Sequence, residues 1–166
     1  MAEGTIYRHF ADKYALFHEI FLSLAGDIMA ELARFPERAG QGTVRDNLEH
    51  LLGLVGPLVD HTASLMASMS ADPEVARSFA VYVQQRAPDG LTFGPVAIVA
   101  EYIRAEQKLG RIRNDVDASE AAAVVASVPF ASSLERAMNE HFPKPTDFPA
   151  PGAGALDILA RGLGGC

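Results

Sequence analysis

The sequence predicts an all-α protein. Apolar residues recur at steps of three and four through most of the chain, and no window sustains the period-two alternation of a half-buried strand. Thr, Asp and Pro also stand where helices are expected to start. With 166 residues, 49% of them hydrophobic, the chain is long enough for one domain, or for a small head and a larger body around a substantial core.

The first element is a short turn of helix after the break at Gly4. Ile6 and Phe10 lie four apart on one face, Tyr7 flanks them, and Thr5, Arg8 and His9 point elsewhere. Asp12 then caps a second helix that begins at Lys13. Its apolar positions Phe17, Ile20, Phe21, Leu24, Ile28, Leu32 and Phe35 run until Pro36 stops it, a rod of roughly 34 Å. Residues 36–42 form a loop, and Thr43 with Asp46 reads as a capping-box variant opening the next helix. That helix carries Val44, Leu48, Leu51, Leu52, Val55, Leu58 and Val59. Pro57 is expected to bend or end it, with a short segment restarting at His61 and Thr62.

Asp72 followed by Pro73 is a strong helix start, and Val75, Phe79, Tyr82 and Val83 continue it. A further helix runs from Pro95 to a stop at Gly110 with two apolar stripes, Val96, Val99 and Ile103 on one side and Ile98, Tyr102 and Leu109 on another, so it needs more than one partner. Asp117 with Glu120 opens a helix whose 121–131 stretch is apolar all round and rich in small residues. This places it at a helix–helix seam, kinked by Pro129. A Pro-rich connector over 141–151 precedes a last short helix bearing Leu156, Leu159 and Leu163.

Function is concentrated in the first seventeen residues. Thr and Tyr hydroxyls, a His ring and an ammonium bind phosphate oxygens, and an Arg can also read a guanine edge in a major groove. Lys13 sits at a helix N-terminus, where free backbone N–H groups add to its attraction for an anion. The order Gly4, Thr5, Ile6, Tyr7, Arg8, His9, Phe10, then Asp12 and Lys13, then Ala15, Leu16 and Phe17 resembles the recognition helix and following helix of the tetracycline-repressor (TetR) family of bacterial transcriptional regulators. The resemblance is motif-strong over about seventeen residues and architectural beyond them.

It implies that residues 1–17 are a partial helix-turn-helix and that 18–166 form a TetR-like helical domain for ligand binding and dimerisation. Thr5, Tyr7, His9 and Lys13 would contact phosphates, and Glu3, Gly4 and Arg8 would face base edges. Two long helices over 95–109 and 118–140 would pair with their copies in a second subunit. The family head has three helices, and this chain opens at the turn into the third. The expectation is therefore a chain that lacks full DNA-binding ability, with residues 1–11 frayed for want of head partners.

Charge agrees with local rather than broad DNA contact. The formal net charge is −7, and residues 1–20 set Arg8 and Lys13 against Glu3, Asp12 and Glu19. The single cysteine, Cys166, cannot pair within the chain, and the longest apolar run is too short and interrupted to span a bilayer. A soluble, cytoplasmic protein with no membrane contact is expected.

A ligand pocket is expected among Leu51, Leu54, Val55, Leu58, His61, Met66, Met69, Phe79, Tyr82 and Tyr102, because methionines adapt to irregular ligands and helix bundles enclose cavities. For each of these residues the alternative is ordinary core. His50, His61, Gln84 and Glu101 could orient a ligand. His50 and His61, eleven apart with Asp60 beside one, make a poor metal pair because Gly56 and Pro57 interrupt their alignment. No nucleophile elbow, phosphate loop or dinucleotide fingerprint occurs, so neither catalysis nor a cofactor is expected. The sequence thus reads as a TetR-like regulator, most simply a repressor released from operator DNA by a small apolar or amphipathic effector. The alternative is a helical small-molecule binder or dimerisation partner that does not bind DNA.

Overall fold

The computed structural model describes residues 13–86, 95–141 and 153–164. Among these the chain forms six α-helices and one 3₁₀ turn: α1 (Lys13–Ala33), the 3₁₀ turn (Phe35–Arg38), α2 (Val44–Ala71), α3 (Pro73–Arg86), α4 (Pro95–Lys108), α5 (Ala118–His141) and α6 (Ala153–Leu163). The described residues hold no strand. A single antiparallel bridge joins Ile112 to Gly164, where Arg113 N–H donates to the Leu163 carbonyl at 3.0 Å. All-α is therefore the observed class. None of the described helices is long and apolar enough to cross a membrane.

Helix starts fall where the capping residues stand. Thr43 Oγ1 accepts the Asp46 N–H at 3.0 Å, Asp72 Oδ1 accepts the Glu74 N–H at 2.9 Å, and Asp117 Oδ1 accepts those of Ser119 and Glu120 at 2.8 and 2.9 Å. Each cap supplies an acceptor to amides that have no carbonyl one turn back. Helix α4 ends as its glycine requires. Gly110 takes φ +72°, its N–H returns to the Gln107 carbonyl at 2.9 Å, and Arg111 N–H reaches the Glu106 carbonyl at 3.0 Å. This pair of reversed bonds satisfies the last carbonyls of the helix.

One expectation is corrected. Helix α2 runs unbroken through Pro57 to Ala71, so no separate segment begins at His61. Pro57 removes one backbone donor and crowds the carbonyl of Gly53, at a cost of about 3 kcal/mol relative to a good helix former. Against that stand Leu48, Leu51 and Val55 before the proline and Leu58 and Val59 after it, all buried. At roughly 1.5–3 kcal/mol for each large aliphatic side chain, continuous burial on both sides outweighs the local defect. Pro129 lies within α5, inside the helix where the sequence placed it.

The central cluster gathers residues from the described helices α1, α2, α4, α5 and α6 and from the 3₁₀ turn, while α3 buries Val75 apart from it. Leu32, Phe35, Leu48, Leu51, Val55, Val99, Tyr102, Ile103, Ala122, Val125 and Leu156 belong to one cluster. Helices α4 and α5 pack closely, as the small residues Ala118, Ala121 and Ala122 on the buried side of α5 allow. Helix α4 packs against both α5 and the 3₁₀ turn, the latter through Tyr102 on Phe35, while Val96 and Leu109 stay exposed. Charged ties fix the periphery: Arg45 Nε to Asp157 Oδ1 at 2.7 Å joins α2 to α6, and Arg136 with Asp60 joins α5 to α2.

Candidate functional site

The DNA-contact candidates Glu3, Gly4, Thr5, Tyr7, Arg8 and His9 lie outside the described residues, as does the side chain of Lys13, the first residue of α1. Of the pocket candidates, Leu51, Val55 and Tyr102 are in the central cluster, Leu54 packs against it half-buried, and Leu58 is buried beside it. Phe79 and Tyr82 are half-buried on α3. The side chains of His61, Met66 and Met69 fall outside what is described.

Continuity of α2 gives the two histidines a different relation from the one expected. Eleven residues are close to three full turns, so the positions of His50 and His61 share a side of the helix, yet they stand roughly 16 Å apart along its axis. The described residues contain no group of His, Cys, Asp and Glu able to hold a metal.

The most organised chemistry is a buried polar chain linking the 3₁₀ turn, α2 and α4. Asn47, 1% exposed, accepts from Arg38 Nε at 3.0 Å. Its amide nitrogen donates to the carbonyls of Gln41 at 2.8 Å and Arg38 at 3.3 Å and to the Tyr102 hydroxyl at 3.2 Å. Tyr102 and Glu106, one turn apart on α4, are both 0% exposed. Glu106 Oε1 accepts the Gly40 N–H at 3.3 Å, and its Oε2 lies 3.3 Å from Arg111 Nε. Gly40 holds φ +81°, and a Cβ there would come within 3.1 Å of Leu109 Cδ1. Both facts favour glycine where the loop crosses α4. Arg111 closes the circuit by donating from Nη2 to the Gly42 carbonyl at 2.6 Å.

Burial pushes the Tyr102 phenol well above its ordinary range, with the negative charge of Glu106 adding to the rise and the Asn47 hydrogen bond opposing it. The hydroxyl is therefore a neutral structural group at any ordinary pH. The sequence did carry a signal for this network. Glu106 continues the stripe of Val99, Tyr102 and Ile103, and Asn47 sits beside Leu48 four residues before Leu51. A polar residue on an apolar stripe must find partners inside.

Above this chain of bonds lies a groove of about 560 Å³, whose polar wall is formed by Glu31, Arg34, Glu37, Arg38, Gln41 and His50. Ala30 and Phe35 supply its apolar part. Phe35 is anchored from below by the Tyr102 ring, the centroids 4.7 Å apart and the planes tilted at 51°. Of the residues singled out from sequence, only His50 and Phe35 belong to this groove, and the Leu51, Val55 and Tyr102 cluster lies in the core beneath it. Comparison with known proteins returns no match, whether to a family model, a curated protein or a solved structure.

Proposed function

We propose that this chain is the body of a TetR-like transcriptional regulator, a homodimeric cytoplasmic repressor released from operator DNA by a small apolar or amphipathic effector. The observation that carries the proposal is the outer face of α5. Val124, Phe130 and Leu134 are 53%, 48% and 62% exposed, and Ala123, Ser127, Ala131 and Ala137 are exposed on the same side of the helix. At 100° per residue these positions share one sector of the helix surface, with few charges among them. A contiguous apolar face of this kind supports the reading of an interaction surface. It adjoins α4, whose Val96 is also exposed. The α4–α5 pair is thus suited to meet its own copy across a two-fold axis, burying both faces in a four-helix contact.

The motif from Gly4 to Phe17 supplies the other half of the reading. Two such motifs, carried on one dimer, would enter successive major grooves of a palindromic operator, with Thr5, Tyr7, His9 and Lys13 on phosphates and Glu3, Gly4 and Arg8 toward base edges. An effector that binds more tightly to the conformer with wrongly spaced heads would release the DNA.

The test is selection from a random duplex pool by a form that carries a complete three-helix head. Palindromic sites should emerge, and Tyr7→Phe or Lys13→Ala should weaken binding to all of them while flattening its salt dependence. No selected duplex, with a dimer still formed, would favour the other reading, a dimeric small-molecule binder without DNA contact.

A further inference from the structure

We propose that the groove between the end of α1, the 3₁₀ turn and the first turns of α2 binds small amphipathic carboxylates, with Arg38 as the carboxylate-holding residue. The argument begins with the charges of the wall. Glu31 Oε1 lies 3.4 Å from His50 Nε2, and Glu37 Oε2 lies 3.5 Å from Arg34 Nε, so each groove carboxylate already faces a basic partner in the wall. Arg38 differs. Its Nε donates to the neutral amide of Asn47 at 3.0 Å, and among the described residues no carboxylate lies within ion-pairing distance of it.

That guanidinium is also held in place from beneath. Asn47 is buried and fixed by two backbone carbonyls and the Tyr102 hydroxyl, so the atom that accepts from Arg38 Nε cannot turn away without breaking several bonds at once. A half-buried arginine oriented through one nitrogen keeps its two terminal nitrogens for a planar anion, and a carboxylate matches that fork. Gln41 adds an amide to the polar wall, while the exposed Ala30 and the 2% of Phe35 that stays accessible form a small apolar part. The volume is within the range of small-molecule sites. The mixture of one oriented cation and an apolar flank selects an amphipathic acid over a bare anion. This inference does not depend on the regulator reading, since the groove lies wholly within the described body.

The experiment is calorimetric titration of the full chain with benzoate and with octanoate, alongside benzamide as the neutral isostere and inorganic phosphate as the bare anion. Saturable one-to-one binding of a carboxylate is expected, with Arg38→Gln weakening it about tenfold or more and Arg38→Lys falling between. Ala30→Trp, which fills the apolar part and leaves Arg38 untouched, should abolish binding, and so serves if Arg38→Gln fails to fold. Arg104→Gln, outside the groove, should change nothing. The proposal is overturned if neither carboxylate saturates, if benzamide or phosphate binds as tightly as benzoate, or if both groove variants bind like the parent.

Discussion

The amide of Asn47 donates to the hydroxyl of Tyr102 across 3.2 Å, tying the first turns of α2 to the middle of α4 at a point where neither side chain meets water. Asn47 also orders the 3₁₀ turn through Arg38 and the loop after it through the Gln41 carbonyl, so one side chain fixes the relative placement of three segments.

Asn47→Ala should therefore destabilise the fold by roughly 2–4 kcal/mol, because it leaves the Gln41 carbonyl unpartnered and removes the bonds to Arg38 and to the buried Tyr102 hydroxyl. Urea unfolding followed by circular dichroism measures this. A loss below about 1 kcal/mol would mean that water replaces the amide and that the network is not closed.

Tyr102 predicts an alkaline limb. Its folded-state pKa is raised above the unfolded value, so its contribution is constant below about pH 10 and falls once the unfolded phenol ionises while the buried one stays neutral. Stability should drop by up to about 1.4 kcal/mol per pH unit in that range from this group alone. Tyr102→Phe should remove that part of the slope, at a cost of about 1–2 kcal/mol near neutrality from the hydrogen bonds lost to Asn47 and to the buried Glu106 carboxylate. Parallel alkaline slopes in the two proteins would contradict the assignment.

Pro57 should be a removable defect. It lies exposed within a helix that continues on both sides, so Pro57→Ala restores a donor toward the Gly53 carbonyl without filling core space. An increase of roughly 1–3 kcal/mol in unfolding free energy is expected by thermal or urea denaturation. A decrease would show that the proline ring makes a contact worth more than the helix bond.

The outer face of α5 should govern assembly. Leu134→Glu, alone or with Phe130→Glu, places charge in the centre of an apolar strip and should weaken self-association at least tenfold while leaving the helical content unchanged. Sedimentation velocity across a concentration series reads this directly. A parent chain that stays monomeric at high concentration would remove the dimer from the proposed function.

The helical class, most helix starts and the stop at Gly110 were decided locally, since a cap or a positive-φ glycine acts on its own turn and needs no distant partner. Thr43, Asp72 and Asp117 cap where their spacing places them. The fate of Pro57 was not decided locally, because only the neighbours that bury Leu51, Val55 and Leu58 supply the free energy that carries a helix through it. The 121–131 stretch read as apolar all round, and packing alone determined that Ala121, Ala122 and Val125 face α4 and α2 while Val124 and Phe130 face outward. The buried polar network was least legible of all. Arg38, Asn47, Tyr102 and Glu106 are separated by up to 68 residues, and a side chain's partners over such distances are set by the fold that brings them together.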